Sequence, residues 1–207
     1  LGCVTSNHFI LDTYAQSVPS VLREPAAGVF LVANKKLGDP SFARSVVLLT
    51  DYSFAGAIGL IINRSSDVAV VSMVPSLEGL ENPETKLHFG GPLNLRSVRV
   101  LVGSSMKIES FERLLKDVYF VNDTTVLRSL LEGNRSNTER VIKYYAGYAA
   151  WSPGQLDREI ARGDWHLTAA DAETIFSQDT ENIWPEFIEK LAGTWVLLEN
   201  TPILGKR

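Results

Sequence analysis

The sequence predicts an α+β domain, and three observations lead to that prediction. Short runs of β-branched and aromatic residues dominate the first half of the chain. Stretches of helical composition are concentrated in the second half, where three of them end at a glycine. The two kinds of segment do not alternate regularly, as they would in a series of βαβ units. With 207 residues, 45% of them hydrophobic, the chain is long enough to bury a substantial core.

The composition indicates one domain preceded by a short arm. The first residues show no clean periodicity and end at Glu24-Pro25, so we expect an N-terminal arm over residues 1–24. Residues 25–207 then form a single compact domain without internal repeats or linkers. Cys3 is the only cysteine, which excludes an intrachain disulfide and a cysteine-based zinc site.

Seven runs predict strands, and two shorter runs are weaker candidates. The longest, Val141–Trp151, carries apolar residues on both of its alternating faces, so we expect an interior strand covered on both sides. The predicted strands are Val29–Ala33, Val46–Thr50, Ala57–Asn63, Val98–Val102, Val118–Val121, Val141–Trp151 and Trp195–Leu198. The weaker candidates are Val68–Val71 and Leu87–Phe89.

Four segments predict helices, three of them followed by a glycine suited to a left-handed C-terminal cap. Ser152 and Gln155 match a capping box, with proline at the first helical position. Thr168 and Asp171 form a weaker version of the same pattern. The predicted helices are Asp123–Glu132, Pro153–Arg162, Ala172–Phe176 and Pro185–Ala192, and the glycines are Gly133, Gly163 and Gly193.

Several function classes find no support in the sequence. The formal net charge is −4, and the densest positive grouping is only Arg135, Arg140 and Lys143, so direct nucleic-acid binding is not favoured. The longest run without a polar residue, Phe54–Ile62, is too short for a membrane span. Phosphate-loop, dinucleotide, nucleophile-elbow and zinc-protease motifs do not occur. The three histidines, His8, His88 and His166, are isolated in sequence, so we expect no metal and no cofactor.

Two stretches are candidates for ligand binding, each with a structural alternative. Gly90-Gly91-Pro92 follows an apolar run and could form a backbone cradle or a simple tight turn. At the corner from Trp151 to Gln155, the N-terminal N–H groups of the following helix could receive an anion. The capping box would satisfy those same groups without any ligand. The candidate ligand-binding residues are Asn63, Gly90, Gly91, Trp151, Ser152, Gly154, Gln155 and Glu159.

A set of motifs along the chain resembles the AlgH/YqgE family of bacterial proteins. The similarity runs from about Gly28 to Trp195. The motifs that carry it are Gly28–Ala33, Leu37–Phe42, Ser45–Leu49, Gly56–Arg64, Gly90–Pro92 and Gly147–Leu156, followed by Glu159-Ile160 and Trp165.

The resemblance implies a compact α+β domain with a branched, partly barrel-like β-sheet flanked by helices, in a protein of the bacterial cytoplasm. The family is described as candidate transcriptional regulators without an agreed mechanism. Asp51-Tyr52 stands where the family often has a histidine, which disfavours histidine chemistry there. Ser65 replaces a common proline, and Ala150 replaces the middle glycine of the usual Gly-Tyr-Ala-Gly-Trp.

Three hypotheses about function follow. The first is a non-catalytic binding or regulatory domain that acts through a protein or small-molecule partner. The alternative is a hydrolase-like enzyme whose site is assembled from distant groups such as Asp39, Asp51, His88 and Glu159. The third, direct DNA binding, conflicts with the acidic charge and with the lack of a recognisable recognition helix.

Overall fold

The computed structural model describes residues 24–109, 111–133 and 140–199, so the predicted arm lies almost wholly outside the described residues. Within these ranges the chain forms ten strands and five helices, with a short 3-10 turn at Pro75–Leu77. The strands are β1 (Val29–Ala33), β2 (Val46–Ser53), β3 (Gly56–Ile61), β4 (Ser65–Ala69), β5 (Lys86–Phe89), β6 (Leu93–Gly103), β7 (Glu112–Leu115), β8 (Val118–Val121), β9 (Val141–Trp151) and β10 (Trp165–Ala169). The helices are α1 (Val70–Met73), α2 (Thr124–Gly133), α3 (Gln155–Arg162), α4 (Ala172–Phe176) and α5 (Thr180–Glu199).

The ten strands form one branched sheet that is antiparallel except at one pairing. Its main path runs β10-β1-β2-β3-β9-β6-β8-β7 and curls into a half-barrel. Strand β9 is the branch point, because one edge pairs with β6 while the other pairs with β3 near Trp151 and with β5 near Tyr144. The β5 pairing is parallel, and β4 extends the branch from β5. This confirms the α+β class with a branched, partly barrel-like sheet.

Alternating side chains of the sheet divide the core into layers. In β1, Phe30 and Val32 pack with α4 and α5, whereas Leu31 and Ala33 pack on the opposite face with α3. A third cluster lies on the β5, β6 and β8 side, beneath α1 and α2. Strict alternation of apolar residues on both faces is the pattern expected of strands covered on both sides.

Most predicted strands are present, with the predicted bounds or with small shifts in them. The predicted strands at Val29–Ala33, Val118–Val121 and Val141–Trp151 match β1, β8 and β9 to the residue. The predicted interior position of β9 is confirmed, since both of its edges are paired. The sequence patterns missed β7, which is short and begins with two charged residues, and β10, which is short and has polar residues at alternate positions.

The predicted strand at Trp195–Leu198 is wrong, because that segment belongs to α5. The helix begins at Thr180, five residues before the predicted start at Pro185, and continues through Gly193. A glycine inside a helix costs only about 1 kcal/mol relative to alanine, so Gly193 does not end it. Pro185 lies inside the first two turns instead of opening the helix.

Two smaller predictions also need correction. The weak strand candidate Val68–Val71 is divided, since β4 ends at Ala69 and α1 begins at Val70. Thr168 does not cap α4 but lies within β10. Asp171 is the N-cap of α4, and its side chain accepts a hydrogen bond from the backbone N–H of Thr174 at 2.7 Å.

None of the helices in the described ranges is both long enough and apolar enough to cross a lipid bilayer.

Candidate functional site

Glu159 joins the aromatic side chains at the end of β9 to α3. Its Oε2 accepts hydrogen bonds from the indole N–H of Trp151 at 2.8 Å and of Trp165 at 2.9 Å. Its Oε1 accepts a third bond, from Gln155 Nε2 at 2.9 Å. Phe42 stacks on Trp151 with ring centroids 5.8 Å apart and meets Trp165 edge-on. The corner is therefore a satisfied polar network inside an aromatic cluster.

The predicted capping box is only half formed. Gln155 Oε1 accepts a bond from the backbone N–H of Ser152 at 3.1 Å, as the motif requires. The N-cap of α3, however, is Gly154, which has φ +66° and no capping side chain, and the helix begins at Gln155 rather than at Pro153. Gly154 displaces the start because glycine adopts a left-handed conformation that ends the Ser152-Pro153 turn before the helix begins. The Ser152 side chain consequently does not cap α3.

Gly90 and Gly91 allow two backbone segments to cross in close contact. A Cβ atom at Gly91 would lie 2.2 Å from the carbonyl carbon of Tyr148, and one at Gly90 would lie 2.5 Å from the carbonyl oxygen of Gly147. The Gly90 N–H donates to Ala146 at 2.8 Å, which fixes the crossing over β9. This packing accounts for both glycines, because no other residue fits the space that they occupy.

Asn63 also has a structural role. Its Oδ1 accepts a bond from the Val46 N–H at 2.8 Å, and its Nδ2 donates to the Arg44 carbonyl at 3.0 Å. The structure therefore links Trp151, Gln155 and Glu159 directly, with the Ser152 backbone. Gly90 and Gly91 instead serve the crossing over β9, and Asn63 holds the start of β2.

The residues of the hydrolase-like alternative do not form a hydrogen-bonded group among the described residues. Asp39 and Asp51 are exposed, and Asp39 accepts a bond from the backbone N–H of Ser41. Glu159 is engaged by the two tryptophans, and no hydrogen bond in the described part of the chain joins any two of Asp39, Asp51, His88 and Glu159. Across the described ranges, no three His, Cys, Asp or Glu side chains are grouped as a metal site would require.

A cavity of about 620 Å³ opens elsewhere, between the β4–β5 branch, β9 and the segment that connects α4 to α5. This volume is within the range of small-molecule sites. We call it the branch cavity. Its lining residues are Ser65, Ser66, Asp67, Glu84, Thr85, Lys86, His88, Ile142, Lys143, Gln178, Asp179, Thr180 and Glu181.

Lys143 and His88 are the most buried of the titratable groups that line the branch cavity. Lys143 is only 4% exposed, and its Nζ donates to the Ser177 carbonyl oxygen at 2.6 Å. Burial lowers the pKa of Lys143 to about 8. Burial, assisted by the charge of Lys143, lowers the pKa of His88 to about 4, so this imidazole is neutral at pH 7. Its Nδ1 is buried without a well-aligned hydrogen bond within the described ranges, and the Arg64 backbone, which interacts with the imidazole, partly offsets the fall in the pKa of His88.

Sequence analysis missed this cavity, although one signal was present. Lys143 lies within Val141–Trp151, a run predicted to be covered on both faces, and a lysine in such a strand predicts a buried amine. Ser177, the group that it contacts, is 34 residues away and outside any local pattern.

The fold and site define an α+β protein with a branched half-barrel sheet, an aromatic corner held by Glu159 and a polar cavity at the branch. Comparison with known proteins gives the family. Residues 30–196 match the family model described as AlgH-like, DUF179, and the chain belongs to that family.

Relatives and solved structures agree with this assignment. A UPF0301 protein of Methylococcus capsulatus is 36% identical over 166 residues, covering 79% of this chain and 90% of the relative. A UPF0301 protein of Chlorobaculum tepidum is 28% identical, covering 86% and 92%. A crystal structure of a Corynebacterium diphtheriae protein has a TM-score of 0.68 at 27% identity, covering 88% and 90%. The solution structure of the AlgH protein from Pseudomonas aeruginosa has a TM-score of 0.65 at 24% identity, covering 90% and 100%, and shares the fold.

Proposed function

We propose that this chain is a non-catalytic binding protein of the cytoplasm, which regulates a partner in response to a small polar ligand held in the branch cavity. The observation that carries the proposal is the cavity itself. It combines ligand-sized volume, hydroxyl groups, a buried amine and a neutral imidazole. Such convergence of polar groups in one concave site is typical of ligand-binding sites.

The position of the cavity supports a regulatory role. One wall belongs to β9, at the centre of the sheet, and the opposite wall is the segment Gln178–Glu181, which leads into α5. A ligand that contacts both walls better in one arrangement than in another shifts α5 relative to the sheet. A partner that recognises α5 then responds to the ligand without any chemistry by this chain.

Thermal unfolding with a panel of uncharged sugars, amino acids, nucleosides and small aldehydes tests the proposal. A panel member at 100 times its Kd stabilises the folded chain by about 2.7 kcal/mol, which raises the melting temperature by roughly 5–10 °C. We expect Lys143→Met to abolish the shift and Lys36→Met, at an exposed lysine that does not line the cavity, to preserve it.

Two results would contradict the proposal. The first is a panel without any stabilising member, and the second is an equal shift in the wild type and in Lys143→Met. Fluorescence anisotropy with duplex DNA at low salt is a separate arm, in which we expect no association. Salt-sensitive DNA binding would replace the proposal with direct DNA recognition.

A further inference from the structure

Lys143 is the only charged side chain that is buried among the described residues. None of the described carboxylates lies within ion-pair distance of its Nζ, and its hydrogen-bond partner is a neutral backbone carbonyl, that of Ser177. A buried ammonium without a counter-ion is costly, so burial increases the fraction of Lys143 that is the neutral amine. The neutral amine is the nucleophilic form of lysine, and desolvation is one of the ways in which proteins activate it.

We propose that Lys143 is a covalent capture site at which small uncharged aldehydes or ketones form a reversible imine in the branch cavity. This inference rests on the proposed function, because it assigns the chemical class of the ligand for the same cavity. The ligand would be held by a covalent bond between its carbonyl carbon and Lys143 Nζ.

The reaction is balanced without an oxidant or reductant. The Nζ lone pair attacks the carbonyl carbon, and one N–H proton is transferred to the carbonyl oxygen to give a carbinolamine. The hydroxyl group then leaves as water with the second N–H hydrogen, and a carbon–nitrogen double bond remains. When the imine is protonated, its single N–H can donate to the Ser177 carbonyl oxygen, which already lies 2.6 Å from Nζ.

His88 is the neighbouring group that can carry the proton. The β5–β9 register pairs His88 with Tyr145, and alternation places Lys143 on the same face of the sheet as both. Both side chains line the branch cavity, and the charge of Lys143 contributes to the lowered pKa of His88. A neutral imidazole can accept and return a proton at pH 7.

The charges around the cavity select among carbonyl compounds. Four carboxylates and one further lysine line it, so an anionic keto acid meets net repulsion and an uncharged carbonyl does not. The titratable groups that face Lys143 across the cavity are Asp67 on β4, Glu84 before β5, Lys86 and His88 on β5, and Asp179 and Glu181 at the start of α5.

Reductive trapping tests the inference on the full chain. Glycolaldehyde is the probe, sodium cyanoborohydride fixes any imine as a secondary amine, and peptide mapping locates it. At pH 7.5 a pKa of about 8 leaves roughly a quarter of the Lys143 amines neutral, against about one in a thousand for a hydrated lysine. We expect Lys143 to be labelled at least about tenfold faster than Lys86, the exposed lysine on the same cavity.

Four controls complete the experiment. Lys143→Arg should remove the fast labelling, and Lys86→Arg should retain it. Wild-type protein in urea should lose the preference, a control that does not depend on the folding of any variant. Glyoxylate, the anionic probe, should label Lys143 at least about tenfold more slowly than glycolaldehyde after correction for their rates with free lysine.

Equal labelling of Lys143 and Lys86 in the native protein would overturn the inference. A second result is that Lys143 is not labelled, although compounds of the thermal-unfolding panel stabilise the wild type and do not stabilise Lys143→Met. In that case the cavity binds a ligand non-covalently, and the proposed function remains. The opposite result is that Lys143 is labelled although no compound of the thermal-unfolding panel stabilises the chain. That result would overturn the proposed regulatory function and leave the capture site in place.

Discussion

Tyr144 and Tyr145 are adjacent residues of β9 whose hydroxyl groups have different surroundings. Both rings are fully buried, on opposite faces of the sheet. The Tyr144 hydroxyl donates to Glu81 at 2.5 Å, and burial raises the pKa of Tyr144 above its ordinary value. The Tyr145 hydroxyl has no hydrogen-bond partner among the described residues, and burial raises the pKa of Tyr145 as well.

The matched substitutions to phenylalanine should therefore have different effects. Tyr144→Phe removes a hydrogen bond to a carboxylate and should lower the free energy of unfolding by about 1.5–3 kcal/mol. Tyr145→Phe removes an unsatisfied buried hydroxyl and should leave that free energy unchanged or raise it by up to about 1 kcal/mol. Urea denaturation monitored by circular dichroism measures both. A greater loss for Tyr145→Phe than for Tyr144→Phe would contradict the assignment.

Glu159 provides a second test of a single side chain. Glu159→Gln keeps the shape but replaces one acceptor oxygen with an NH₂ group, which cannot accept from the Trp151 or Trp165 indoles or from Gln155. We expect a loss of about 1–3 kcal/mol in the free energy of unfolding, together with a change in native tryptophan fluorescence. Unchanged stability and fluorescence would show that the network does not hold the corner.

At the scale of one element, the start of α3 reverses an expectation from the sequence. A formed capping box predicts that Ser152→Ala is the costly substitution, by about 0.5–2 kcal/mol. With Gly154 as N-cap, Ser152→Ala should change the free energy of unfolding by less than about 0.5 kcal/mol. Gln155→Ala should cost about 1–2 kcal/mol, since Gln155 bonds both Ser152 N–H and Glu159. Thermal melts of the two variants show which substitution destabilises the protein more.

The crossing of the β5–β6 connection over β9 gives a sharper test. In Gly91→Ala the new methyl group would lie 2.2 Å from the Tyr148 backbone, so the strands must separate. We expect a loss above about 4 kcal/mol or failure to fold, as for other severe backbone clashes. Gly38→Ala is the matched control, because nothing lies within 4 Å of its Cβ position. The control should be neutral or stabilising by up to about 1 kcal/mol, and soluble expression with circular dichroism measures both variants.

Local sequence patterns predicted an element correctly where burial of its apolar residues in the core is enough to determine its structure. Val29–Ala33 and Val141–Trp151 are strands because apolar residues on both faces can be buried only inside the sheet. Trp195–Leu198 has the composition of a strand but continues a helix that begins at Thr180, because β-propensity depends on context. The sequence grouped Trp151, Gln155 and Glu159, which the structure joins by hydrogen bonds, and their predicted ligand-binding role stays a prediction. It missed the branch cavity, whose walls come from strands and loops distant in the chain.

At the scale of the molecule, two half-buried neutral histidines couple folding to pH. Burial, with the Lys143 charge, lowers the pKa of His88 to about 4, and burial also lowers the pKa of His166. The unfolded chain binds these protons near pH 6.5, so it takes up more protons than the folded chain between about pH 6.5 and 4. Stability should therefore fall as the pH is lowered through this window.

The contribution of His88 can be isolated by substitution. After allowance for its partial exposure, we expect His88 to account for about 2 kcal/mol of the loss between pH 7 and 4. His88→Asn should flatten that part of the pH profile of the unfolding free energy, measured in urea at half-unit intervals. His166→Asn is the matched comparison, with a smaller effect in the same direction. A profile unchanged by His88→Asn would contradict the burial of a neutral imidazole.

The sheet topology was the feature furthest from prediction. The resemblance implied a branched sheet, but no local pattern shows that β5 runs parallel to β9 or that β4 joins it. Leu87 and Tyr144 meet across 57 residues of sequence, and hydrophobic periodicity carries no information about such partners.

The place of β9 in the chain has a consequence for synthesis. It lies late in the sequence, yet β3, β5 and β6 all pair with it through hydrogen bonds. The partner of β1, β10, is synthesised later still. A nascent chain that ends before Trp151 exposes unpaired strand edges and cannot close the half-barrel. Ribosome-bound fragments of this length should thus be recognised by chaperones and digested readily by proteases. Resistance to proteases should be acquired in one step, once β9 and β10 have both emerged from the ribosome.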